Sequence, residues 1–351
     1  MVDPRPAEWI LPEPAQPERE LLAAFAGNPV FAEVLHRRGY THLADAMAFL
    51  DETRYTPSDP FDFPDMLPAA QMVLRHIHNG NRIAVCGDYD TDGLTATAIL
   101  YEGLSALSPR VQFQIPDRGR SAHGISEIAV RELHTLGVEL ILTCDTGVSE
   151  HEALALARSL GMDVIITDHH TQPDPPAPAH HIINPVVLPP DHRMVSLSGA
   201  GVAYQFLRGV YRLAGIEERC GDFLDLAAIG LIGDLVPLTG DARWLVQCGV
   251  KALQTSRRPG IAEILRCAGI PPEQATEKTI SHTLAPRINS LSRMMDAGLV
   301  IDLLTTRDAK RAGEMAPLAE QANSSRKQLS DTILMAAAAA VENDRTMLDK
   351  P

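Results

Sequence analysis

The chain has 351 residues, of which 45% are hydrophobic, and it carries a formal net charge of −14. This length and apolar content suffice for one large domain with extensions or for two domains with real cores. The negative charge excludes a generally basic surface. It argues only weakly against a nucleic-acid substrate, because metal-binding acids supply part of such a charge. Five scattered cysteines without Cys-x-x-Cys spacing argue against a disulfide framework and a zinc site.

Hydropathy bears on the location of the protein. Residues 1–17 contain proline and acids but no apolar signal segment, and nowhere do about 18 apolar residues follow one another. We therefore expect a cytoplasmic protein with no membrane partner.

The sequence predicts three segments. Residues 1–65 form an N-terminal helical extension with helices at Glu18–Ala26, Val30–Arg38 and Leu43–Leu50. Residues 66–240 alternate short apolar strands with helices, which predicts an α/β core with a five-stranded parallel, doubly wound sheet. Residues 241–351 form a helical part that ends in a long connector helix from Asp308, because Asn323–Asp344 lacks glycine and proline.

The individual elements follow from hydrophobic periodicity. The predicted strands are Ile83–Val85, Val111–Pro116, Leu140–Cys144, Val164–Thr167 and His181–Asn184. The helices predicted after the extension are Ala69–His78, Leu94–Leu104, Ser126–Leu136, Glu150–Leu160, Ala200–Ala214, Phe223–Leu231, Leu245–Thr255 and Ile261–Ala268.

An acidic motif follows the first predicted strand. Asp88, Asp90 and Asp92 are spaced two apart, before the helix predicted at Leu94–Leu104. Because ligands bind at the carboxyl ends of the strands in open α/β sheets, we expect these acids in that crevice. An Asp-x-Asp pair alone is more often a solvated turn than a binding site, and the later strands decide between these interpretations.

Later strands also end in residues that bind metals. A further acid, Asp234, lies in the almost wholly apolar segment 228–237, where an acid must be paired, protonated or metal-bound. The third and fourth predicted strands lead directly into Asp145 and into Asp168, His169 and His170, respectively, at the same edge of the sheet as the first motif.

The residue types indicate the chemistry. Carboxylates with one or two imidazoles suit Mn²⁺ or Mg²⁺ better than zinc. Two such ions are the usual catalysts of phosphoester hydrolysis, so the residues alone predict a metal-assisted phosphoesterase. The chain has no Gly-x-x-x-x-Gly-Lys-Ser/Thr loop and no Rossmann glycine fingerprint, which disfavours nucleoside triphosphates and dinucleotides.

These motifs also resemble those of a known family. In order and spacing they are similar to the four motifs of the DHH phosphoesterase superfamily, and further segments resemble its RecJ branch of single-strand-specific exonucleases. The four motifs are Asp88-Tyr89-Asp90-Thr91-Asp92-Gly93, Asp145-Thr146-Gly147, Asp168-His169-His170 and Gly233-Asp234. The branch-specific segments include Leu197-Ser198-Gly199-Ala200-Gly201, Pro286-Arg287-Ile288-Asn289 with Arg293, and Asn323-x-x-Arg326.

The resemblance implies a role for each motif residue. It implies two ions, Mn²⁺ or Mg²⁺: Asp90 would bind one, Asp92 and Asp234 the other, Asp145 would bridge both, and His169 would be a further ligand. His170 would face the scissile phosphate, while Asp88 and Asp168 would orient the ligands. The alternative is a pair of structural histidines and a hydrogen-bonded acid at Asp234. The candidate phosphate contacts, whose arginines could equally be ordinary surface residues, are Arg118, Arg287, Asn289, Arg293 and Arg326.

The implied activity is a 5′→3′ exonuclease on single-stranded DNA that releases 5′ mononucleotides in repair and recombination. Two alternatives stay open: a phosphodiesterase for short oligonucleotides or cyclic dinucleotides, and an inactive interaction subunit. A single-strand-binding protein or a helicase is an expected partner, and the chain itself is expected to be a monomer.

The sequence departs from the family pattern at several places. Asn289-Ser290-Leu291-Ser292-Arg293 and Ala122-His123-Gly124 replace more usual residues, which affects the expected substrate groove. Cys86 stands where some members have a metal-binding histidine, and its apolar neighbours favour a core role. The sequence stops before the DHH-associated domain that the resemblance leads us to expect after the long helix.

Overall fold

The computed structural model describes residues 13, 15–116, 124–255 and 258–343. It divides the chain into two compact units, Met1–Thr56 and Pro57–Pro351. The first unit contains α1 (Arg19–Ala24), α2 (Pro29–Arg37) and α3 (Leu43–Leu50), which pack around a small apolar core. The three-segment division with boundaries at 65/66 and 240/241 stays a prediction.

The second unit is built on a five-stranded parallel sheet, as predicted. The strands are β1 (Arg82–Gly87), β2 (Val111–Gln114), β3 (Val138–Cys144), β4 (Asp163–Thr167) and β5 (His181–Ile183). Their order is β2-β1-β3-β4-β5, and every neighbouring pair is parallel. All five carboxyl ends therefore lie at one edge, where the predicted ligands follow β1, β3 and β4.

Helices cover both faces of this sheet, which confirms the doubly wound architecture. The helices of the core are α4 (Met66–Asn79), α5 (Thr91–Ser105), α6 (Glu127–Thr135), α7 (His151–Ser159) and α8 (Gly199–Leu213). Alternate residues of β1 show the two faces, because Val85 belongs to the core cluster of α4, α5 and α8, whereas Cys86 belongs to that of α6 and α7.

The rest of the second unit is helical. α9 (Leu224–Gly233) and α10 (Gly240–Gln254) follow the sheet, and α9 packs against α5 and α8. The remaining helices are α11 (Pro259–Cys267), α12 (Glu277–Thr279) with a π-helical turn (Ile280–Leu284), α13 (Ala285–Met294), α14 (Ala297–Thr305) and α15 (Ala309–Asn343). In the described part of the chain, no helix combines the length and the apolar character needed to cross a bilayer.

The structure corrects two predictions about helices. α5 begins at Thr91 rather than Leu94, because the Asp90 side chain accepts hydrogen bonds from Asp92 N and Gly93 N and caps the helix inside the acidic motif. The second correction concerns α13 and α14, which were not among the predicted helices; Pro286 lies in the first turn of α13, where a proline is compatible with a helix.

Candidate metal centre

The β1–α5 junction supplies the first acids. Asp90 lies at the N-cap of α5, and Asp92 lies in its first turn, where it is only 2% exposed. A hydrogen bond of 2.8 Å from Thr91 N to Asn289 Oδ1 ties the start of α5 to α13. Asp88, which precedes the turn, is buried as well. The junction thus holds its carboxylates in a rigid turn instead of a solvated one.

Asp145 directly follows β3 and has an unusual backbone. Its φ of 59° is in the left-handed region, which Asp and Asn enter more readily than most residues. Its N–H donates to Thr167 O at 3.0 Å, so the strained residue is held against the end of β4. The carboxylate is 4% exposed, and the buried Oδ1 has no hydrogen-bond partner. A buried carboxylate oxygen of this kind needs a cation or a proton.

The two histidines after β4 have different environments. His170 Nδ1 lies 2.8 Å from Asp168 Oδ1, and its side chain is 57% exposed. Asp168 Oδ1 also accepts hydrogen bonds from His169 N and His170 N, which shapes the turn. The side chain of His169 is only 17% exposed and points into the acidic cluster.

The side chains after β1, β3, β4 and α9 converge on His169. Its Nε2 lies 3.1 Å from Asp145 Oδ1, 3.8 Å from Asp234 Oδ2 and 3.9 Å from Asp92 Oδ2. The 3.1 Å contact does not have the geometry of a hydrogen bond, since Asp145 Oδ1 remains without a partner. Two groups have ligand atoms within 4.8 Å of one another: Asp92, His169 and Asp234, and Asp145, His169 and His170.

Burial and mutual repulsion raise the pKa values of these acids. Burial, followed by the charges of Asp92 and Asp90, raises the pKa of Asp145 well above its ordinary value. Burial and the charge of Asp92 raise the pKa of Asp234 to about 6. Burial also raises the pKa of Asp92, against the opposing effect of His169. The cluster therefore carries more negative charge than its surroundings balance.

Asp168 and His170 behave as a separate pair. The hydrogen bond that His170 Nδ1 donates to the Asp168 carboxylate raises the pKa of His170 to about 9. Burial alone would raise the pKa of Asp168, but the hydrogen bond and charge of His170 and the backbone bonds from His170 and Val148 lower it overall. His170 is thus a cation at neutral pH that faces solvent beside the acids.

A cavity of about 280 Å³ adjoins the α9 end of the cluster. Arg293 and Arg326 line it together with Asn289, Gly233 and Leu235. Arg287 does not line it. Of the phosphate contacts predicted from sequence, the structure therefore brings three to this cavity.

Arg287 is instead engaged within the protein. It is 9% exposed, and its Nε donates to Glu320 at 2.6 Å and its Nη1 to Thr283 O at 3.0 Å, which joins α13 to α15. Arg118 lies outside the described residues.

The sequence analysis did not identify the start of α8 as a part of the site. Ser198, Gly199 and Ala200, at the start of α8, all donate hydrogen bonds to the Asp92 carboxylate. The signal was the segment Leu197–Gly201, which the resemblance used only as a marker of the branch. Cys86 packs in the core beneath α6 and α7, and burial raises the pKa of its thiol, so it is a core residue.

Comparison with known proteins agrees with this geometry. A family model described as "DHH family, N-terminal domain" matches residues 82–231, which include all five strands and most of α9. The class of fold is therefore that of the DHH proteins.

Individual relatives show which branch of the DHH proteins the chain is similar to. The chain is 34% identical over 323 residues to the single-stranded-DNA-specific exonuclease RecJ of Bacillus subtilis, covering 92% of this chain and 40% of that protein. It is 34% identical to the RecJ of Thermus thermophilus, covering 90% of this chain and 45% of that protein. The chain thus spans less than half the length of these curated relatives.

Solved structures give the same result. A crystal structure of exonuclease RecJ bound to manganese is 33% identical and superposes with a TM-score of 0.72, covering 78% of this chain and 69% of that chain. A structure of RecJ in complex with Mn²⁺ from Thermus thermophilus is 31% identical with a TM-score of 0.79, covering 91% of this chain and 45% of that chain. The chain belongs to the RecJ family of DHH proteins.

Proposed function

We propose that the acidic cluster holds two divalent cations, Mn²⁺ or Mg²⁺. The observation that carries the proposal is the convergence of Asp92, Asp145 and Asp234 on His169, with the buried Asp145 Oδ1 lacking a hydrogen-bond partner. Hard oxygen donors with one imidazole fit these ions. Relatives support the choice, since RecJ structures are described with manganese and with Mg²⁺.

The ligands divide between the two ions. Asp92 and Asp234, with His169, form one compact group and would hold one ion. Asp145, which lies 3.1 Å from His169 Nε2, and Asp90, at the N-cap of α5, would help to hold the second ion. Asp90 Oδ1 already accepts two backbone hydrogen bonds, so its other oxygen would be the ligand.

The activity we propose is hydrolysis of phosphodiester bonds in single-stranded DNA. When bound, the two ions would neutralise the phosphoryl oxygens and activate water. His170, with Nδ1 bonded to Asp168 and its ring half exposed, is placed to donate from Nε2 to a phosphate oxygen. Arg293 and Arg326 in the adjoining cavity would bind the next phosphate of the strand.

The family supplies the finer part of the proposal. Its named members are single-stranded-DNA-specific exonucleases, so we propose 5′→3′ removal of mononucleotides in DNA repair and recombination. In that role the chain would work in the cytoplasm as a monomer, alongside a single-strand-binding protein or a helicase.

One assay tests this function against its alternatives. The protein with Mn²⁺ is offered labelled single-stranded DNA, a dinucleotide and a cyclic dinucleotide. Asp145→Asn is the matched control, because asparagine tolerates the left-handed backbone and removes only the charge. We expect mononucleotides from the long strand and a loss of roughly 10³-fold in the variant, the scale of removing a main source of transition-state stabilisation.

Each of the other outcomes would contradict one part of the proposed function. Turnover of the dinucleotide or cyclic dinucleotide alone would replace the exonuclease with a small-substrate phosphodiesterase. The same rate in Asp145→Asn would show that the cluster is not the catalytic centre. Strands labelled separately at the 5′ and 3′ ends give the polarity, and early release of the 3′ label would contradict the proposed direction.

A further inference from the structure

The start of α8 is capped by a residue from another helix. Ser198 is the N-cap residue, but its hydroxyl does not cap its own helix and instead donates to Asp92 Oδ1 at 2.7 Å. Gly199 N donates to Asp92 Oδ2 at 2.6 Å, and Ala200 N donates to Oδ1 at 3.0 Å. The carboxylate of α5 thus takes the capping position, and both of its oxygens are fixed.

The same turn of α8 touches the second central acid. A Cβ atom added to Gly199 would lie 2.4 Å from Asp145 Cβ and 2.5 Å from Asp145 Oδ1. No real Cβ comes so close, so a glycine is required for α8 to pass between the two carboxylates. The unpartnered oxygen of Asp145 therefore lies against the positive end of a 15-residue helix.

A neighbouring glycine closes the other side of Asp92. A Cβ on Gly230, in α9, would lie 2.6 Å from Asp92 Oδ1 and 2.3 Å from the Cβ of Ala200. α8 and α9 consequently enclose Asp92 from two sides, and Ser198 is fully buried between them. The three hydrogen bonds from α8 and the close approach of α9 therefore hold the Asp92 carboxylate with its Oδ2 3.9 Å from His169 Nε2.

We propose that Ser198 and the first turn of α8 act as a positioning element for the metal centre. Three donors hold Asp92 in the orientation in which Oδ2 faces His169 and Asp234, and the helix terminus offsets the repulsion between Asp92 and Asp145. Ser198 touches neither substrate nor the proposed ions and acts through Asp92. This inference rests on the proposed function, because it concerns the same ions.

The test compares two buried serines. Ser198→Ala removes one donor to Asp92, whereas Ser108→Ala removes a hydroxyl that accepts from Arg110 N just before β2, at the opposite edge of the sheet. Mn²⁺ binding to each protein is measured by titration calorimetry and by the electron paramagnetic resonance signal of free Mn²⁺. We expect Ser198→Ala to weaken the binding of one ion about 10- to 100-fold and Ser108→Ala to leave both Kd values unchanged.

The controls separate failure of this inference from failure of the function. A wild-type protein that binds no Mn²⁺ would overturn the proposed function itself. A wild-type protein that binds two ions, with equal affinities in Ser198→Ala and Ser108→Ala, would overturn only the role of Ser198. If Ser198→Ala does not fold, Ser198→Cys keeps the volume with a weaker donor, and an unchanged Kd in that variant would also refute the proposal.

Discussion

Two buried groups of charges lie at opposite ends of the same pair of helices, α5 and α9. At one end, Asp92 of α5 and Asp234 after α9 meet Asp145, and in the described part of the chain no lysine or arginine pairs with these three acids. At the other end, Glu102 of α5 and Asp225 of α9 enclose Arg258.

Arg258 is satisfied by the protein alone. It is 2% exposed, and its guanidinium contacts Asp225 at 3.1 Å, Glu102 at 2.5 Å and the carbonyl oxygens of Asp222 and Leu304. The acidic cluster has no such partner, and its acids have raised pKa values. The Arg258 group therefore serves the fold, whereas the acidic cluster retains an excess of negative charge that a bound cation or a proton would offset.

The largest effect on stability is expected at the balanced end. Arg258→Met leaves the buried Asp225 without its arginine and removes one of the two arginines that pair with Glu102, and we expect a loss of about 3–5 kcal/mol in the free energy of unfolding. Arg307→Met is the control, because Arg307 also pairs with Glu102 but its side chain is 56% exposed, and it should lose at most about 1 kcal/mol. Urea denaturation without metal measures the free energy of unfolding of both variants. Similar losses in the two would contradict the special role of the buried Arg258.

The two ends of α9 provide a matched pair of acids. Asp225→Asn weakens the ion pair with Arg258 and should lower the stability of the metal-free protein, but Mn²⁺ should still stabilise it. Asp234→Asn should remove the stabilisation contributed by the ion that Asp92, Asp234 and His169 would hold, which is expected to be about 2.7 kcal/mol at 100 times the Kd for that ion in the wild type. Thermal unfolding with Mn²⁺ or with a chelator is the measurement. An equal Mn²⁺ effect in both variants would place the ions elsewhere.

A smaller effect is expected for the arginines near the cluster. Arg293→Ala and Arg326→Ala should each raise the KM for single-stranded DNA by about tenfold, the equivalent of about 1.4 kcal/mol. Each should also reduce the salt slope of binding by about 0.7. Arg287→Ala should instead lower stability, because its guanidinium joins α13 to α15. The salt slope of binding to single-stranded DNA is measured by fluorescence anisotropy at several salt concentrations. A changed slope in Arg287→Ala alone would contradict the assignment of Arg293 and Arg326 to the DNA and of Arg287 to the fold.

The smallest effect concerns acid stability away from the site. Hydrogen bonds from Arg212 and, less strongly, Arg208 lower the pKa of Glu217 to about 2 from its ordinary 4.5. As the pH falls, Glu217 is therefore protonated in the unfolded chain before it is protonated in the folded protein. Its contribution to the free energy of unfolding is full above about pH 4.5 and disappears toward pH 2. Because Glu217 is one-third exposed, we expect about 1 kcal/mol. Glu217→Gln should show a flatter loss of stability than the wild type between pH 5 and 3, and parallel curves would refute the assignment.

The sequence predicted the sheet well because its strands are buried on both faces. Continuous apolar runs such as Leu140–Cys144 cannot be solvated, and a ligand residue after each run marks the carboxyl edge. All five strands were found, with ends that differ by one or two residues at most. The approach of Asp145 and Asp234 to His169 depends on tertiary packing, so these residues could be predicted from the sequence but their distances could not.

What the sequence could not predict depends on contacts between distant segments. The Ser198 hydroxyl reaches Asp92 across 106 positions, and no local pattern distinguishes it from an ordinary N-cap serine. Arg287 and Arg293 looked equivalent in sequence, but they lie six positions apart on α13 and face different neighbours. Side-chain direction on a helix separates structural from solvent-facing arginines only once the packing is known.

The most direct test of the central claim is the Asp145→Asn variant, studied without substrate. Mn²⁺ binding and the stability of the metal-free protein are measured in parallel for the variant and the wild type. If the cluster is an uncompensated cation site, removing one buried charge should leave the metal-free protein at least as stable as the wild type and weaken Mn²⁺ binding by more than about 100-fold. A variant that is destabilised yet binds two Mn²⁺ ions as tightly as the wild type would contradict the account.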